Sequence, residues 1–386
     1  MKIAFIGQKG IPAAEGGVER HVEELSARLA ALGQEVYVYC RRHYTKFSAS
    51  QYKGVNLIYL PSVPTKNLDT ITHTFLATLD AIRRDFDIIH FQGVGPSTLA
   101  FLPRILKSNV KVITTFHCRD QFHQKWGPLA RKYLAFGEYA VSKFSHQTIC
   151  VSKTIKNLVR EKFGREAKYI PNGVAVKSGA DENIIKQFGL EKDKYLLTCG
   201  RLVRHKGIHL LIKAFKRIKN QELRIKDLKL VIVGDSVSTD EYVKELRKLA
   251  EGHNNIIFTG FQYGRTLASL FENAYLYIHP SYSEGLPITV LEAMAYGKTV
   301  LVSNIPENIE AFAGRGYMFL NKNVNDLAYK IQLLLENPDL VEKTGKTARE
   351  YVLQNYNWEK IVAETLDLYK KTLAEAPEGV LEKAKI

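Results

Sequence analysis

Two acidic residues eight positions apart lie in the segment Ser281–Gly297, SYSEGLPITVLEAMAYG, where a predicted strand is followed by a predicted helix. Glu284 precedes the helix, and Glu292 follows Ile288 by one turn, so both carboxylates are expected on one side. One carboxylate can accept hydrogen bonds from sugar hydroxyls while the other reaches a ribose. The alternative, for the two acids alone, is an acidic helix start with one surface glutamate.

The start of this helix offers free backbone amides beside Glu284. Pro287 suits the first turn of a helix, and Gly297 is a typical helix end. The first amides of a helix lack an intrahelical partner and lie at the positive end of its dipole, so they favour an anion such as a phosphate. The residues expected to contribute are Gly285, Leu286, Ile288 and Thr289.

A basic pair, Arg201 and Lys206, lies five positions apart in the loop Gly200–Gly207, GRLVRHKG, which follows a predicted strand. Arginine presents a planar fork of donors and lysine a compact charge, and both suit a leaving diphosphate. Two exposed charges in a turn are the alternative. Arg204 and His205 of the same loop are predicted to face solvent.

Two further candidates lie in the first half of the chain. His117 follows the predicted strand segment Val112–Phe116, where an imidazole can orient a sugar hydroxyl, although a lone histidine is more often structural. Gly16 and Gly17 precede a predicted helix, where glycines let amides approach a phosphate closely or simply permit a turn. Their loop lacks the G-x-G-x-x-G pattern of dinucleotide-binding proteins. The histidines predicted to be structural are His21, His90 and His279.

A D-x-D pattern, Asp85-Phe86-Asp87, is the one short motif that suggests a metal-bound diphosphate. Because Asp87 opens a predicted buried strand, we interpret the pattern as polarity at a strand end. No other carboxylate or histidine cluster has the spacing of metal ligands. We therefore expect neither a metal nor a cofactor.

Alternating strands and helices must position these side chains. The predicted strands are Lys2–Gly7, Glu35–Cys40, Val55–Leu60, Asp87–Phe91 and Val110–Phe116, and then Tyr195–Cys199, Leu228–Gly234, Ile256–Phe258 and Tyr275–His279. This alternation predicts an α/β fold of two Rossmann-like domains, each with a parallel sheet covered on both faces. Ligands of such sheets bind at the carboxyl ends of the strands. The turn Ile170–Gly173 marks the boundary, giving a domain of residues 1–172 and a second of residues 173–357.

Length and charge agree with this organisation. The chain has 386 residues, enough for two domains, and a formal charge of +15. Residues 1–172 hold 25 Lys and Arg against 13 Asp and Glu, so the first half should attract an anionic partner such as phospholipid, a diphosphate-linked acceptor or nucleic acid. A solubilising face is the alternative.

The four cysteines are widely spaced and no apolar run approaches about 18 residues, so we expect a soluble, cytoplasmic protein with reduced thiols.

Two stretches of the first half are candidates for binding an acceptor. Arg41–Lys53 has four basic residues, three aromatic residues and no acid. Arg119–Lys143 surrounds a predicted amphipathic helix and contributes Arg119, Lys125, Trp126, Arg131, Lys132 and Lys143. Basic residues beside aromatic ones suit a membrane interface or single-stranded nucleic acid, and a solvated face is again the alternative.

The segments GGVERH, IPNGV, GRL-x-x-x-KG and EGLPITVLEAMAYG occur in this order over nearly the whole chain. Together they resemble family 4 of the retaining glycosyltransferases, the group 1 family with the GT-B fold, and especially members that build cell-surface polysaccharides. The resemblance implies two Rossmann-like domains facing a central cleft. It implies a UDP- or GDP-linked sugar donor, a glycan or lipid-linked acceptor, and retention of anomeric configuration without a metal. The basic first half of the chain, rather than the resemblance, suggests peripheral association with the inner face of the cell membrane. Nucleic acid is not an expected partner, and a non-catalytic nucleotide-sugar-binding relative is the alternative.

The resemblance also implies residue roles. Glu284 and Glu292 match the family's Glu-(x)7-Glu motif, the first expected at the donor sugar and the second at the ribose. Arg201 and Lys206 match the pair that steadies the leaving diphosphate, and His117 matches a histidine near the transferred sugar. Further matches are Gly16 and Gly17 in the loop over the diphosphate and Gly260 and Phe261 near the nucleobase.

Two further positions bear on the resemblance. Cys118 stands where the family often has glycine or aspartate. The stretch Tyr356–Thr372, with Trp358, resembles a helix that packs back on the first domain, predicted as residues 358–386.

Overall fold

The computed structural model describes residues 1–14, 16–44, 47–65, 68–122, 127–176, 181–218, 225–236 and 240–375. The chain divides into two compact units: unit 1 is Met1–Gly173 together with the chain from Trp358 onward, and unit 2 is Val174–Asn357. The division therefore falls one residue later than the sequence predicts. Gly173 belongs to unit 1 because it packs against Trp358, and a Cβ atom on Gly173 would lie 2.5 Å from the indole ring.

Within the described residues, unit 1 contains an eight-stranded sheet in the order β3-β4-β2-β1-β5-β6-β7-β8. The strands are β1 Lys2–Ile6, β2 Glu35–Arg41, β3 Gln51–Tyr52, β4 Val55–Leu60, β5 Ile88–Gln92, β6 Lys111–Phe116, β7 Gln147–Cys150 and β8 Lys168–Tyr169. Neighbouring strands are parallel except for β3, which runs antiparallel to β4.

Helices cover both faces of this sheet. They are α1 Gly17–Ala31, α2 Leu68–Arg83, α3 Val94–Ser97, α4 Phe101–Leu106, α5 Pro128–Lys143, α6 Lys153–Phe163 and α15 Trp358–Ala374. Because side chains alternate along a strand, Ile3 and Phe5 pack with α1 and α15, whereas Ala4 and Ile6 pack with α2. Helix α15 begins at Trp358 as predicted and contacts α1, while residues 376–386 of the predicted helix lie outside the described residues.

Unit 2 has six strands among its described residues, all parallel, in the order β11-β10-β9-β12-β13-β14. The strands are β9 Tyr195–Cys199, β10 Lys229–Val233, β11 Ile256–Gly260, β12 Leu276–His279, β13 Val300–Ser303 and β14 Tyr317–Phe319. The helices are α7 Glu182–Lys186, α8 Ile208–Phe215, α9 Asp240–Ala250, α10 Gly264–Glu272, α11 Ile288–Ala295, α12 Pro306–Phe312, α13 Val324–Glu336 and α14 Pro338–Asn355. The predicted fold of two parallel-sheet α/β domains is confirmed.

The nine predicted strands are present, with ends that differ by at most two residues from the prediction, whereas β3, β7, β8, β13 and β14 were not predicted. β4 and β9 have the predicted bounds. Gly7 and Gly234 were predicted inside strands but lie just after β1 and β10, with φ of 116° and 138°. These values lie outside the β region, so the ladder ends at the residue before each glycine. None of the described helices is both long and apolar enough to cross a membrane.

Candidate active site

Two loops at the carboxyl end of the unit 2 sheet are held together by backbone contacts. The carbonyl oxygen of His205 accepts hydrogen bonds from Tyr282 N, at 2.7 Å, and from Ser281 Oγ, at 3.2 Å. His205 therefore joins the two loops through its backbone and is only half exposed, although it was predicted to face solvent. Gly207 has φ of 69°, and a Cβ atom on it would lie 2.0 Å from the Pro280 carbonyl oxygen. A glycine is thus required where the loop after β9 crosses the loop after β12.

Gly207→Ala is expected to lower the free energy of unfolding by about 2–4 kcal/mol, because left-handed strain adds to a collision with the Pro280 backbone. Gly264→Ala is the matched control, since Gly264 has φ of 59° and no atom within 4 Å of the added Cβ. The control should lose about 1 kcal/mol. Urea unfolding measures the free energy of unfolding of both variants. Equal losses would show that the contact of Gly207 with the Pro280 backbone adds nothing to the loss.

The close packing of these loops brings Lys206 against Glu284. Lys206 Nζ donates to Glu284 Oε1 at 2.6 Å, and His279 Nε2 lies 2.8 Å from the same oxygen. His279 is the last residue of β12, and its side chain is 2% exposed. The structure therefore places His279, which was predicted to be structural, in direct contact with the candidate residue Glu284. The position of His279 at the carboxyl end of a strand, two residues before Ser281, was the signal that sequence reasoning missed.

The electrostatics of this cluster favour an ionised Glu284. Burial alone would raise the pKa of Glu284, but the Lys206 ammonium and the hydrogen bond from His279 outweigh burial and hold the pKa well below 4.5. Burial lowers the pKa of His279, and its bond to Glu284 offsets this in part. At neutral pH, therefore, the ammonium of Lys206 and the neutral imidazole of His279 both donate to one oxygen of the ionised Glu284 carboxylate.

Glu284 is followed by a helix whose first turn was predicted to include Pro287. α11 starts at Ile288, and Pro287 immediately precedes it without a side-chain cap. The backbone amides at this helix start are thus left without a capping side chain, as an anion site requires. Thr289 bonds the buried Tyr277 hydroxyl, and Glu292 is half-buried one turn after Ile288. Gly285 and Leu286, in the loop between β12 and α11, are buried.

Arg201, Gly260 and Phe261 lie at the same edge of the unit 2 sheet. Arg201 is exposed at the start of the loop that carries Lys206, and no contact that we observe brings it to Glu284. Gly260 ends β11 with φ of 69°, and its carbonyl oxygen accepts from Gly234 N at 2.9 Å. Phe261 follows, half exposed, with its ring stacked on Tyr263.

A histidine between two tyrosines further fixes the loop before α11. His209 Nδ1 lies 2.8 Å from the Tyr242 hydroxyl, and His209 Nε2 lies 2.7 Å from the Tyr282 hydroxyl. The Tyr242 hydroxyl also accepts from His209 N, so donating its own hydrogen to Nδ1 satisfies it. Nε2 then donates to Tyr282. Helices α8 and α9 thereby hold the loop that carries Glu284.

In unit 1, His117 lies in a buried polar cluster at the carboxyl ends of β5 and β6. His117 Nε2 lies 2.8 Å from Gln92 Oε1, and its ring packs edge-on against His21 at 5.1 Å. His21 in turn packs against Trp358 of α15. His90, on the same strand as Gln92, bonds the hydroxyl of Tyr369 at 2.6 Å, which agrees with the predicted structural role.

Gly16 and Gly17 stand at the start of α1, where a carboxylate folds back over the loop. Gly16 has φ of 96°, and a Cβ atom on it would lie 2.0 Å from a Glu19 carboxylate oxygen. Glu19 Oε1 accepts from Lys9 N at 3.0 Å, and Glu23 Oε2 accepts from Ala13 N at 2.7 Å. Two carboxylates of α1 thus hold the glycine-containing loop.

The free energy of unfolding is expected to fall as the pH drops from 7 to 5. Burial lowers the pKa of His21 to about 4 and the pKa values of His90 and His117 well below 6.5. Below about pH 6.5 the unfolded chain binds protons at these histidines that the folded chain does not, so stabilisation present above that pH is lost. For His21, whose pKa falls to about 4, this loss is about 2 kcal/mol at pH 5.

Urea unfolding at pH 7 and pH 5 measures this loss, with His21→Leu as the comparison. The variant should lose about 2 kcal/mol less than the wild type between the two pH values. An unchanged difference would mean that His21 titrates alike in the folded and unfolded chains.

Several basic side chains of the two basic stretches are paired with acidic side chains, which the composition of the stretches does not indicate. In Arg41–Lys53, Arg41 is buried against Asp69 at 2.6 Å, and Lys53 bonds Glu23 at 3.0 Å. In the second stretch, Arg119 bonds the buried Glu138, whereas Arg131 and Lys132 are exposed. The fold thus supplies acids from outside the first stretch and from within the second. Lys125 and Trp126 lie outside the described residues.

The D-x-D pattern lies at the amino end of β5, away from the carboxyl ends where the candidate residues gather. Asp87 Oδ2 accepts from Lys2 N at 2.7 Å, and Asp85 pairs with Lys107. This agrees with polarity at a strand end. Across the described residues, no group of three or more His, Cys, Asp or Glu side chains is arranged to hold a metal ion.

Two family profiles together match most of the chain. "Glycosyltransferase Family 4" matches residues 15–178, and "Glycosyl transferases group 1" matches residues 180–351. The chain is also 25% identical over 349 residues to the alpha-monoglucosyldiacylglycerol synthase of Streptococcus pneumoniae, with 85% of this chain and 77% of that protein covered.

Two solved structures have the same fold. Sucrose-phosphate synthase from Thermosynechococcus elongatus matches with a TM-score of 0.83 at 23% identity, covering 97% of this chain and 100% of the other. Anabaena HepE in complex with UDP-glucose matches with a TM-score of 0.77 at 20% identity, covering 95% of this chain and 100% of the other. At these identities the likeness shows the fold alone.

Proposed function

Because this chain is a glycosyltransferase of the group 1 family with the GT-B fold, we propose that it moves a sugar from a UDP- or GDP-linked donor to a glycan or lipid-linked acceptor with retention of anomeric configuration. The observation that carries the proposal is the contact of Lys206 with Glu284 beside the uncapped start of α11. A cation, an ionised carboxylate and free amides in one place suit a sugar joined to a diphosphate.

The proposed roles follow from charge. The Lys206 ammonium, the exposed Arg201 and the amides of α11 stabilise the negative charge that develops on the leaving diphosphate. Glu284 accepts hydrogen bonds from hydroxyls of the transferred sugar, and Glu292 from the ribose. For His117, Gly16 and Gly17 of unit 1, the roles stay those that the family resemblance implies. No step in this scheme needs a metal ion.

The bond between the anomeric carbon and the diphosphate oxygen breaks, which leaves a short-lived ion pair. The acceptor hydroxyl oxygen attacks the anomeric carbon from the same face, and its proton passes to a diphosphate oxygen. Configuration is therefore retained. One-dimensional proton NMR of the first-formed product measures its anomeric coupling, and inversion would overturn this mechanism.

A thermal-shift panel tests donor binding before any acceptor is known. Nucleoside diphosphates and their sugars are added in EDTA and, separately, in magnesium. Stabilisation by one nucleotide, unchanged by EDTA, identifies the base and supports metal-free binding. UDP is the first candidate because HepE was solved with UDP-glucose. Binding without turnover in the presence of acceptors would favour the alternative, a non-catalytic nucleotide-sugar-binding relative.

A lipid-linked acceptor is favoured by an exposed apolar face of unit 1, the α4–α5 face. On α5, Leu129, Lys132, Phe136, Tyr139 and Lys143 recur at spacings of three and four, so they share one side of the helix. Leu129 is 83% exposed. Basic and apolar side chains on one exposed helix side suit an anionic bilayer surface.

The α4–α5 face continues onto α4. The Phe144 ring contacts both Phe136 and Phe101, and Ile105 of α4 is 67% exposed. The glycolipid synthase of S. pneumoniae gives a second reason to consider a lipid acceptor. We propose that this face docks on the inner surface of the cell membrane.

Vesicle sedimentation tests the docking. The protein should sediment at low salt with vesicles containing anionic phospholipid and not with purely neutral vesicles. Leu129→Ser with Phe136→Ser should abolish sedimentation, whereas Leu353→Ser, an exposed leucine of unit 2, should not. Failure of the wild type to sediment with anionic vesicles would exclude the membrane proposal.

A further inference from the structure

Glu284 receives both of its observed hydrogen bonds on one oxygen. Lys206 Nζ and His279 Nε2 lie 2.6 Å and 2.8 Å from Oε1. A carboxylate oxygen has two lone pairs in its plane, so these two donors saturate Oε1. Oε2 is then the oxygen that can accept from a substrate hydroxyl. The orientation of the carboxylate depends on both donors.

The two donors differ in rigidity. Lys206 carries its charge on a flexible four-carbon stem in a loop, whereas His279 is fixed at the end of β12 with 2% of its side chain exposed. Its ring stacks on Tyr277 with centroids 6.1 Å apart and an interplanar angle of 20°. Lys206 can turn toward another anion, and His279 cannot leave Glu284.

The proton positions in this cluster are fixed by its chemistry. Ionised Glu284 only accepts hydrogen bonds, so the hydrogen of neutral His279 is on Nε2. Nδ1 is then an acceptor and lies 3.4 Å from the Tyr277 hydroxyl, which also lies 3.2 Å from the Cys199 carbonyl oxygen. Thr289 of α11 contacts the same hydroxyl. Contacts between polar groups therefore run from Thr289 through Tyr277 and His279 to Glu284.

We propose that His279 is a positioning residue, which holds the Glu284 carboxylate in place when Lys206 turns to the leaving diphosphate. The proposal rests on the proposed function. Without donor, Lys206 neutralises Glu284; with donor bound, its charge is shared with two phosphates. His279 then keeps Oε1 occupied, so that Oε2 continues to face the sugar.

The pH dependence of transfer distinguishes this role from simple packing. The titratable groups of the cluster are Glu284, Lys206 and His279. Tyr277, Cys199 and Glu292 are the titratable groups next to it. Because burial raises the pKa of Glu284 and donors oppose it, removal of the His279 donor raises that pKa. If activity needs ionised Glu284, the pH below which activity falls should therefore be higher in a variant without this donor.

His279→Leu and His279→Gln form the test pair, since the glutamine amide can donate to Oε1 and leucine cannot. We expect His279→Leu to lower kcat about 10–100-fold, with a smaller change in KM, and to move the acid limb of the pH profile upward. His279→Gln should recover most of both. An unmoved acid limb in His279→Leu, or equal defects in the two variants, would overturn the proposal.

A second measurement does not require turnover. In the donor-free wild-type protein labelled with ¹⁵N-histidine, His279 should carry its hydrogen on Nε2, and adding UDP or GDP should leave that hydrogen in place. Hydrogen on Nδ1, or its transfer on nucleotide addition, would overturn the positioning role. Absence of donor turnover by the wild type, with the Nε2–H form present, would instead count against the proposed function alone.

Discussion

Glu284→Gln is expected to lower kcat for sugar transfer by about 10²–10³-fold while the protein remains folded. Glutamine has the shape of glutamate and keeps one oxygen for the Lys206 and His279 donors, so the loop should hold its conformation. It removes the negative charge that binds the sugar hydroxyls and balances Lys206. A loss of this size is typical when one stabilising group is removed from a preorganised site. Steady-state transfer kinetics and far-UV circular dichroism measure the two parts of the prediction.

The exposed pair of Arg204 and Glu245 supplies the matched control. It joins the same two kinds of charge within unit 2, but both partners are well exposed. Exposed pairs contribute about 0–1 kcal/mol, and Glu245 takes no part in the proposed chemistry. Glu245→Gln should therefore transfer sugar at nearly the wild-type rate. Near-normal turnover by Glu284→Gln would place the reacting sugar elsewhere.

A double substitution, Arg119→Met with Lys162→Met, is expected to lower the free energy of unfolding by about 3–5 kcal/mol. Both cations bond Glu138, a fully buried carboxylate of α5, at 2.9 Å from Arg119 Nε and 3.0 Å from Lys162 Nζ. Removing them leaves a buried charge without a partner, which is the costly way to break a buried pair. Urea unfolding monitored by circular dichroism measures the loss.

The reverse substitution should cost much less. Glu138→Gln leaves Arg119 and Lys162 without their carboxylate, but their side chains are 30% and 43% exposed and remain hydrated. We expect a loss of about 1–2 kcal/mol. If Glu138→Gln were as destabilising as the double substitution, burial of the carboxylate would not be the cause.

The repeating elements were predictable because local sequence determines them. β4 and β9 are runs of apolar residues bounded by turn residues, and the structure gives both the predicted bounds. The ends at Gly7 and Gly234 were less predictable, since a glycine fits either a strand or a left-handed turn. The motif segments after β9 and β12 were likewise evident as loops at the carboxyl ends of parallel strands.

Contacts between distant residues were not predictable. Lys206 and Glu284 are separated by 78 positions, and the sequence assigned Lys206 to a diphosphate rather than to a carboxylate. His279 was taken as structural because a lone histidine is more often structural than functional. The pairing of Arg41 was not predictable because its partner Asp69 lies 28 positions away, outside the stretch Arg41–Lys53.

Helix α15 has a consequence for how the chain folds during synthesis. Trp358 and Tyr369 complete the core that α1 and the β5 strand begin, and the hydrogen bond from Tyr369 to His90 crosses 279 positions. At about 5–20 residues per second, the ribosome needs about 10–40 s to make Val174–Asn357 before α15 can emerge. For that interval the surfaces of α1 and β5 that α15 covers in the folded protein have no cover. Unit 2, being continuous, can fold first, so the amino-terminal part of the chain is the part that most needs a chaperone.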